Sequence, residues 1–446
     1  MAELKRELRL RDLVFFDICA IISLRWVAAA AHAGSGSFVL WIVAAIFFFL
    51  PSAITVSGLS RQFPEEGGLY IWTKRAFGDQ HAFLCGWFYF ISNVLYLPSL
   101  LLAGVTMTAY AFGGVGQRFA EDRAFAVPLT LAVLWAAFAA NYYGMKVAKW
   151  ISALGGSSTF IIGGVLGALA IGAVLKSGIA TKFELLPKAN LDTVNFWSQI
   201  AFAFVGLELA PIVSGEIRNP RRDLPRAAVI SGIISAAFYI SMTAALLVVL
   251  QPDRISPMTG LAQAGTSAAL KLGAPAIAIL LGALLGIALA GQLDTWIAGN
   301  TRLPYAIGLD HYLPAAFGRI HPRWGTPYVS LFVQAVAATL FLLMAQQGES
   351  VRAAYQITVD MTLIATFIPF IYIFCAGLRF GNRTAAASGL VVTLIAIAFA
   401  AIPPQEASST GIFELKVVGG SLFLGAAGWI VFKRYEAVRR RVPVVS

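Results

Sequence analysis

The sequence predicts an all-α integral membrane protein with twelve transmembrane helices. Of its 446 residues, 59% are hydrophobic and 12% are charged, and the mean hydropathy is +0.77, whereas a water-soluble chain of this length needs far more polar surface. The apolar residues fall in runs of about 18–27, the length that a helix needs to cross a hydrocarbon core about 30 Å thick. The charged start, MAELKRELRLRD, leads directly into the first run, so we expect no cleaved signal peptide.

The apolar runs follow one another with short connections, so we predict no separate water-soluble domain. The twelve spans are expected at 13–31, 38–60, 82–112, 125–142, 150–175, 196–215, 227–250, 274–300, 327–346, 352–378, 384–402 and 412–432.

The positions of Lys and Arg predict the orientation. With a cytoplasmic N-terminus, 23 of the 33 Lys and Arg residues fall on segments facing the cytoplasm, nine fall on the opposite segments, and Arg25 lies within a span. Cytoplasmic loops of membrane proteins carry this excess. We therefore expect a multi-pass protein of the inner (cytoplasmic) membrane with both termini in the cytoplasm. The net charge of +11 then matches anionic membrane lipid and does not indicate nucleic-acid binding.

Two spans carry polar interruptions near their centres. Span 1 contains Ser23 and Arg25, and span 6 contains Gly206 and Glu208 followed by Pro211. Interruptions at corresponding places in two spans of opposite orientation indicate a transporter built from inverted repeats, because unpaired backbone groups are tolerated where they line a cavity. A simple kink between packed helices is the alternative interpretation of span 6.

Three long segments resemble signatures of the amino acid–polyamine–organocation (APC) transporters. FAFVGLELAPIVSGEIRNPRRDLPRA is similar to the sixth helix and the basic loop after it, GLSRQFPEEGGLYIWTKRAFGD (58–79) to the loop between the second and third helices, and NTRLPYAIGLDHYLPAAFGRIHPRWGTPYVSLFVQA (300–335) to the loop after the eighth. The resemblance implies a LeuT-like inverted repeat and alternating-access transport of amino acids or amines. It divides the chain into a cytoplasmic N-terminus (1–12), two five-helix halves (13–175 and 196–378), two peripheral helices (384–432) and a basic cytoplasmic tail (433–446).

We predict a substrate site where the two interrupted spans face each other. Its candidate residues are Ile22, Ser23, Arg25, Trp26, Asn93, Tyr96, Phe202, Phe204, Gly206, Glu208 and Asp294. The candidate coupling or gating residues are Arg25, Glu208, Asp294, Ser158 and Thr159. The chain departs from the family in span 1, where the expected G-[ST]-G run is replaced by ISLRW and no glycine occurs before Gly34.

Arg25 has three open interpretations, because a lone charge inside a span is costly. Its guanidinium binds a substrate carboxylate, or it pairs with Glu208, Asp17 or Asp294 and holds a closed state, or span 1 is shifted and Arg25 faces an outer vestibule. Asp17 and Asp360 are expected to be structural.

Two further positions carry alternatives. The lysine of some proton-coupled family members would fall near Ser158 and Thr159, whose hydroxyls serve a sodium site, a substrate contact or packing. In PEEGGLY, Glu65 and Glu66 are placed to face the inner arginines, in a structural turn or a gate.

The sequence therefore predicts a secondary active transporter that moves an amino acid by symport or exchange, with H⁺ or Na⁺ as the candidate coupling ion. A polyamine transporter and a transporter-like sensor without flux are the alternatives. We expect no enzyme activity, cofactor or metal site, since the four histidines are scattered without metal-ligand spacing, and we expect a monomer or homodimer.

Overall fold

The structure, a computed structural model, describes residues 6–184, 186–187, 191–345, 351–402, 411 and 415–439. Parts of four predicted segments lie outside this part of the chain: the first five residues of the cytoplasmic N-terminus, residue 346 of the ninth span, residues 412–414 of the last span and residues 440–446 of the tail.

The described chain is helical, with a single isolated β-bridge between Leu8 and Ile217. In the first half, the helices are α1 (Leu10–Ile21), α2 (Leu24–His32), α3 (Ser37–Gln62), α4 (Leu69–Phe77), α5 (Asp79–Tyr110), α6 (Gly113–Glu121), α7 (Arg123–Tyr142) and α8 (Met145–Ser177). In the second half, they are α9 (Leu191–Phe202), α10 (Leu209–Ile212), α11 (Pro220–Val249), α12 (Gly260–Lys271), α13 (Pro275–Leu309), α14 (Tyr328–Ala345), α15 (Val351–Phe380), α16 (Arg383–Ala400) and α17 (Gly420–Arg439). A π-helical turn (Ala45–Phe49) lies inside α3, and another (Leu415–Gly419) precedes α17.

Nine helical segments of the described chain are long and apolar enough to cross a membrane. Three predicted spans are not among them: the sixth is divided between α9 and α10, the ninth corresponds to the shorter apolar helix α14, and the last corresponds to α17. The multi-pass helical architecture is confirmed, and the count of twelve stays a prediction. The sequence missed α4, α6 and α12, which are short helices within segments treated as loops.

The long helix α5 lies at the centre of the bundle. It packs against α13 and α15, α13 in turn packs against α8, and α1 packs against both α8 and α11. The outward face of α8 carries exposed apolar side chains, including Trp150, Leu154 and Ile171. Because the spacing of these residues places them on the outside of the bundle, we assign this face to lipid contact.

Candidate functional site at two interrupted helices

The first predicted span is interrupted between α1 and α2. α1 ends at Ile21 and α2 begins at Leu24, while Ile22 (φ −74°, ψ 103°) and Ser23 (φ −109°, ψ 117°) have extended backbone. The extended pair ends the intrahelical hydrogen bonding. Carbonyl groups at the end of α1 and N–H groups at the start of α2 therefore need partners from elsewhere.

The sixth predicted span is interrupted in the same way. α9 ends at Phe202, and residues 203–208 form turns before α10 begins at Leu209. Gly206 has a φ of +137°, and a Cβ at this position would lie 2.9 Å from the carbonyl carbon of Ala20. Glycine is needed here for both the backbone conformation and the close approach. The two interruptions are therefore in direct contact.

Side chains of α13 donate hydrogen bonds to carbonyl groups at the end of α1 that the interruption leaves without helical partners. The Trp296 indole N–H donates to the carbonyl of Ala20 over 3.1 Å, and the Gln292 side-chain amide donates to the carbonyl of Ile22 over 3.1 Å. These bonds satisfy groups that would otherwise be buried without partners. They also fix the position of the first interruption relative to α13.

The hydroxyl of Tyr239, on α11, connects the two interruptions. It lies 2.6 Å from the carbonyl oxygen of Ile21 and 3.0 Å from that of Ala203, and it accepts a hydrogen bond from the N–H of Ser23 over 3.0 Å. The ring is buried and stacks on Trp41, with centroids 4.4 Å apart and planes at 9°. One side chain thus contacts the broken backbone of both spans.

Arg25, in the first turn of α2, is 2% exposed. Its Nη1 donates to the hydroxyl of Ser99 on α5 over 2.9 Å. Its guanidinium carbon lies 4.3 Å from the ring centre of Trp26 and 4.8 Å from that of Tyr96. Aromatic faces stabilise a cation most where water is excluded, so this setting lowers the cost of burying the charge.

Glu208 is the last residue of the turns at the second interruption. Its carboxylate accepts hydrogen bonds from the Tyr89 hydroxyl over 2.9 Å and from the N–H of Gly206 over 3.0 Å. Tyr89 lies on α5, so the contact joins the interrupted helix to the centre of the bundle. Glu208 is 1% exposed.

The other acids inside the predicted spans are also buried. Asp17 accepts from the hydroxyl of Ser231 over 3.2 Å, and Asp294 accepts from the side-chain amide of Asn141 over 2.7 Å. Asp360 is fully buried on α15. The pairing of Arg25 with one of these acids or with Glu208 stays a prediction.

A cavity of about 30 Å³ lies beside the first interruption. Such a volume has room for about two water molecules in this arrangement of the helices. Among the described residues, Arg25 is the only ionisable group that lines it. The lining comprises Ile22, Ser23, Leu24, Arg25, Leu100, Ala103, Gly104, Met107, Thr159, Leu285, Ala288, Leu289 and Gln292.

Four of the residues that the sequence singled out line this cavity: Ile22, Ser23, Arg25 and Thr159. The others lie outside its lining, namely Trp26, Asn93, Tyr96, Ser158, Phe202, Phe204, Gly206, Glu208 and Asp294. Closeness to an interruption does not by itself identify the residues that line the cavity.

The predicted aromatic residues form contacts next to the cavity. Phe202 packs edge-on against Trp26, with centroids 5.5 Å apart, and lies 6.2 Å from the Tyr96 ring. Phe204 instead packs against Trp41 on α3, with centroids 5.5 Å apart. Asn93 donates to a backbone carbonyl of its own helix.

Ser158 and Thr159 are buried on α8, which packs against α13. Thr159 donates to the carbonyl of Gly155 over 3.0 Å, and a Cβ on Gly155 would lie 2.5 Å from the Cα of Gly291. The small residues thus allow the two helix backbones to approach closely. The Thr159 hydroxyl is bonded within its own helix, and the residue also lines the cavity.

Gln292, Trp296, Tyr239 and Ser99 are site residues that the sequence analysis missed as candidates. Gln292 had a signal, because it lies within a long apolar span two residues before Asp294. The remaining three lie in apolar runs without a motif.

Comparisons with known proteins agree with this architecture. A solved structure of MhsT in complex with L-phenylalanine superposes with a TM-score of 0.62 at 13% sequence identity and covers 97% of this chain and 100% of its own. The helical bundle with an interrupted first helix thus has the LeuT-like fold of MhsT.

Proteins related in sequence match most of the length of this chain. The probable agmatine/putrescine antiporter AguD of Lactococcus lactis is 23% identical over 99% of this chain and 98% of its own length. The glutamate/serine transporter AimA of Bacillus subtilis is 25% identical over 83% of this chain and 70% of its own. A family model described as amino acid permease matches residues 8–411. The chain belongs to the amino acid permease family of the APC superfamily, whose members are transporters and not enzymes.

Proposed function

We propose that the protein moves an amino acid across the cytoplasmic membrane by alternating access, in symport or exchange. The observation that supports this most strongly is the cavity beside the interrupted first helix. Its lining combines one buried guanidinium with an aliphatic wall. An amino acid with a neutral apolar side chain presents a carboxylate and a hydrocarbon group, which match these two surfaces.

The carboxylate is proposed to bind Arg25 at the start of α2. A guanidinium matches carboxylate geometry, and the N-terminus of α2 adds the positive end of a helix dipole. The hydrocarbon side chain then lies towards Leu100, Met107 and Leu289, which belong to α5 and α13.

A polyamine is the second candidate substrate. AguD carries agmatine and putrescine in its name, and Glu208 places a buried carboxylate at the second interruption. Among the described residues that line the cavity there is a cation and no acid. A polycation would meet a like charge there, so an amino acid is favoured.

The proposed topology has twelve spans, two inverted five-helix halves (13–175 and 196–378), two peripheral helices (384–432) and cytoplasmic termini (1–12 and 433–446). The contact between the first and sixth interrupted helices supports the repeat. The excess of Lys and Arg on one side supports the orientation. For coupling to H⁺ or Na⁺, Glu208 and Asp294 are the proposed groups. Glu208 is a buried acid at the second interruption, and Asp294 is a buried acid on α13, which is bonded to the first.

Uptake into proteoliposomes tests the proposal. The full-length protein is reconstituted and supplied in turn with radiolabelled leucine, glutamate, serine, putrescine and agmatine under imposed pH, sodium and voltage gradients. We expect uptake and counterflow of leucine. Counterflow of putrescine without that of any amino acid would establish the polyamine alternative. Binding without uptake or counterflow of any solute would establish the sensor.

A further inference from the structure

A second buried group of ionisable side chains lies at the opposite end of α13 from the cavity. Arg302 follows Gln292, which lines the cavity, by ten residues, so about 15 Å of helix separates them. Two connections meet Arg302 at this end: residues 63–68, between α3 and α4, and residues 213–217, between α10 and α11. We call this end, defined by those two connections and Arg302, the inner end.

An ion pair is fully enclosed at the inner end. The Nε of Arg302 lies 2.7 Å from a carboxylate oxygen of Glu216, and the two side chains are 1% and 4% exposed. Arg302 also donates to the carbonyl of Ala298 over 2.7 Å. The positive charge of Arg302 is therefore already matched by Glu216.

Glu66 brings a second carboxyl group to the same place. Its Oε2 accepts from the N–H of Gly215 over 2.5 Å, while its Oε1 is enclosed and has no hydrogen-bond partner among the described residues. The N–H of Gly67 donates to the carbonyl of Ile212 over 3.2 Å. Residues 63–68 are thus attached to residues 212–215 at two points.

The chain before α1 is attached to the same connection. The N–H of Leu8 donates to the carbonyl of Glu216, and the N–H of Arg218 donates to the carbonyl of Leu8, each over 3.0 Å. The inner end is therefore closed by three segments that join around Glu216. In alternating access, these segments must separate for substrate to pass on this side.

The charge balance of this closed arrangement calls for one proton. Two carboxyl groups face one guanidinium, and an ionised carboxylate without a matching cation is costly in an enclosed site. We propose that Glu66 is a proton-binding site that links closure of the inner end to pH. The closed form holds a proton on the Glu66 carboxyl group, and the proton leaves when the segments separate. This inference rests on the proposed alternating access.

The pKa of Glu66 agrees with this geometry. Burial, and then the nearby Glu216 carboxylate, raise it to about 8, although the Gly215 N–H and the Arg302 guanidinium act in the opposite direction. The phenol of Tyr305, on α13, also faces Glu66.

The sign of the pH dependence follows from the difference between the pKa of Glu66 in the closed form and its pKa in the separated form. In the separated form, Glu66 is exposed to water and takes an ordinary glutamate pKa of about 4.3. The closed form thus binds more protons than the separated form. The resulting stabilisation of the closed form relative to the separated form is complete below about pH 4 and is lost as the pH rises to about 8.

Neighbouring groups provide a matched control. Glu65, the adjacent residue, pairs with Arg75 over 3.3 Å, and both side chains are substantially exposed. Screened surface pairs contribute little. Glu65→Gln removes the same charge from the same connection without touching the enclosed group.

The experiment measures the distance between the two connections by double electron–electron resonance. Spin labels are placed at Gln62 and Arg218, which are exposed, in full-length protein whose three native cysteines are replaced by alanine. Distances are recorded in nanodiscs between pH 5 and 9 for the wild-type sequence, Glu66→Gln and Glu65→Gln. The glutamine at 66 keeps an oxygen that accepts from Gly215 and mimics the protonated acid.

We expect the ratio of separated to joined connections to rise with pH by up to about tenfold per unit between about pH 5 and 8. Glu66→Gln stays joined at every pH, and Glu65→Gln behaves as wild type. A ratio independent of pH in the wild type overturns the proposal, as does an unchanged pH dependence in Glu66→Gln. Leucine uptake by the same protein tests the transport function separately. If leucine is taken up but the ratio of separated to joined connections does not change with pH, only the proton-site proposal is wrong. If the ratio changes with pH but no leucine is taken up, only the proposed transport function is wrong.

Discussion

Replacing Tyr239 by phenylalanine tests whether one hydroxyl holds the two interrupted helices together. The change keeps the ring, and therefore the stack on Trp41, and removes only the oxygen that contacts Ile21, Ser23 and Ala203. A buried donor or acceptor that loses its partner costs about 1–3 kcal/mol.

The expected magnitude follows from which of these groups can reach water. Ser23 lines the cavity, so water entering there replaces part of its lost bond, whereas Ile21 and Ala203 are buried. We therefore expect the contact between the two interrupted helices to be destabilised by about 1.5–3 kcal/mol. This corresponds to roughly a 10- to 100-fold increase in the population that is locally open.

Hydrogen–deuterium exchange with mass spectrometry measures this opening. Peptides covering residues 20–26 and 201–208 are both expected to exchange faster in Tyr239→Phe than in the wild type. Tyr142→Phe is the control. Tyr142 is exposed on α7, and its ring contacts Tyr143 and His321. Faster exchange in only one of the two peptides, or in neither, would refute the bridging role.

Two further predictions concern the second interruption and the cavity. Gly206→Ala is expected to lower the thermal stability of the purified protein by several degrees, since a Cβ would lie 2.9 Å from the carbonyl carbon of Ala20 at a φ of +137°; an unchanged melting temperature would mean that the contact relaxes freely. Ala103→Leu adds three carbon atoms to the cavity wall, so leucine should lose affinity by about tenfold or more while alanine loses less. Equal losses for the two amino acids in competition binding would place the side-chain site elsewhere.

The sequence was sufficient to predict the membrane architecture and the location of the interruptions. Long apolar runs and the polar residues within them carry a strong local signal, and α1 and α2 separate at Ile22 and Ser23. The number of spans was harder to predict. A helix divided near Phe202, or one as short as α14, is not distinguished from a continuous span by composition alone.

The partners of the broken backbone were not predictable from the sequence. Tyr239 and Trp296 lie in apolar runs and are distant in sequence from the carbonyl groups that they contact. Only the packing of α11 and α13 against α1 brings them together. Arg25 was recognisable as a functional candidate, because a charge inside a span is costly, but its contacts with Ser99 and Tyr96 depend on the position of α5.

The motif PEEGGLY shows the same limit. Its two acids are adjacent in sequence and were expected to act together towards the inner arginines. In the structure, Glu65 pairs with Arg75 on α4, whereas Glu66 lies beside the enclosed pair of Arg302 and Glu216 and accepts from the N–H of Gly215. Their different surroundings arise from tertiary contacts that no local pattern encodes.

The central claim is that a substrate carboxylate binds Arg25 beside the interrupted first helix. The most direct test compares the affinities of leucine and leucinamide for the wild type and Arg25→Gln, with Arg118→Gln, an exposed arginine on α6, as the control. A hydrogen bond between charged groups is worth about 1.5–3 kcal/mol. We therefore expect Arg25→Gln to weaken leucine binding by about 10- to 100-fold, to leave leucinamide binding within about threefold, and Arg118→Gln to change neither. Unchanged leucine affinity in Arg25→Gln, with a shifted conformational balance, would contradict direct binding and favour a closed-state role for this arginine.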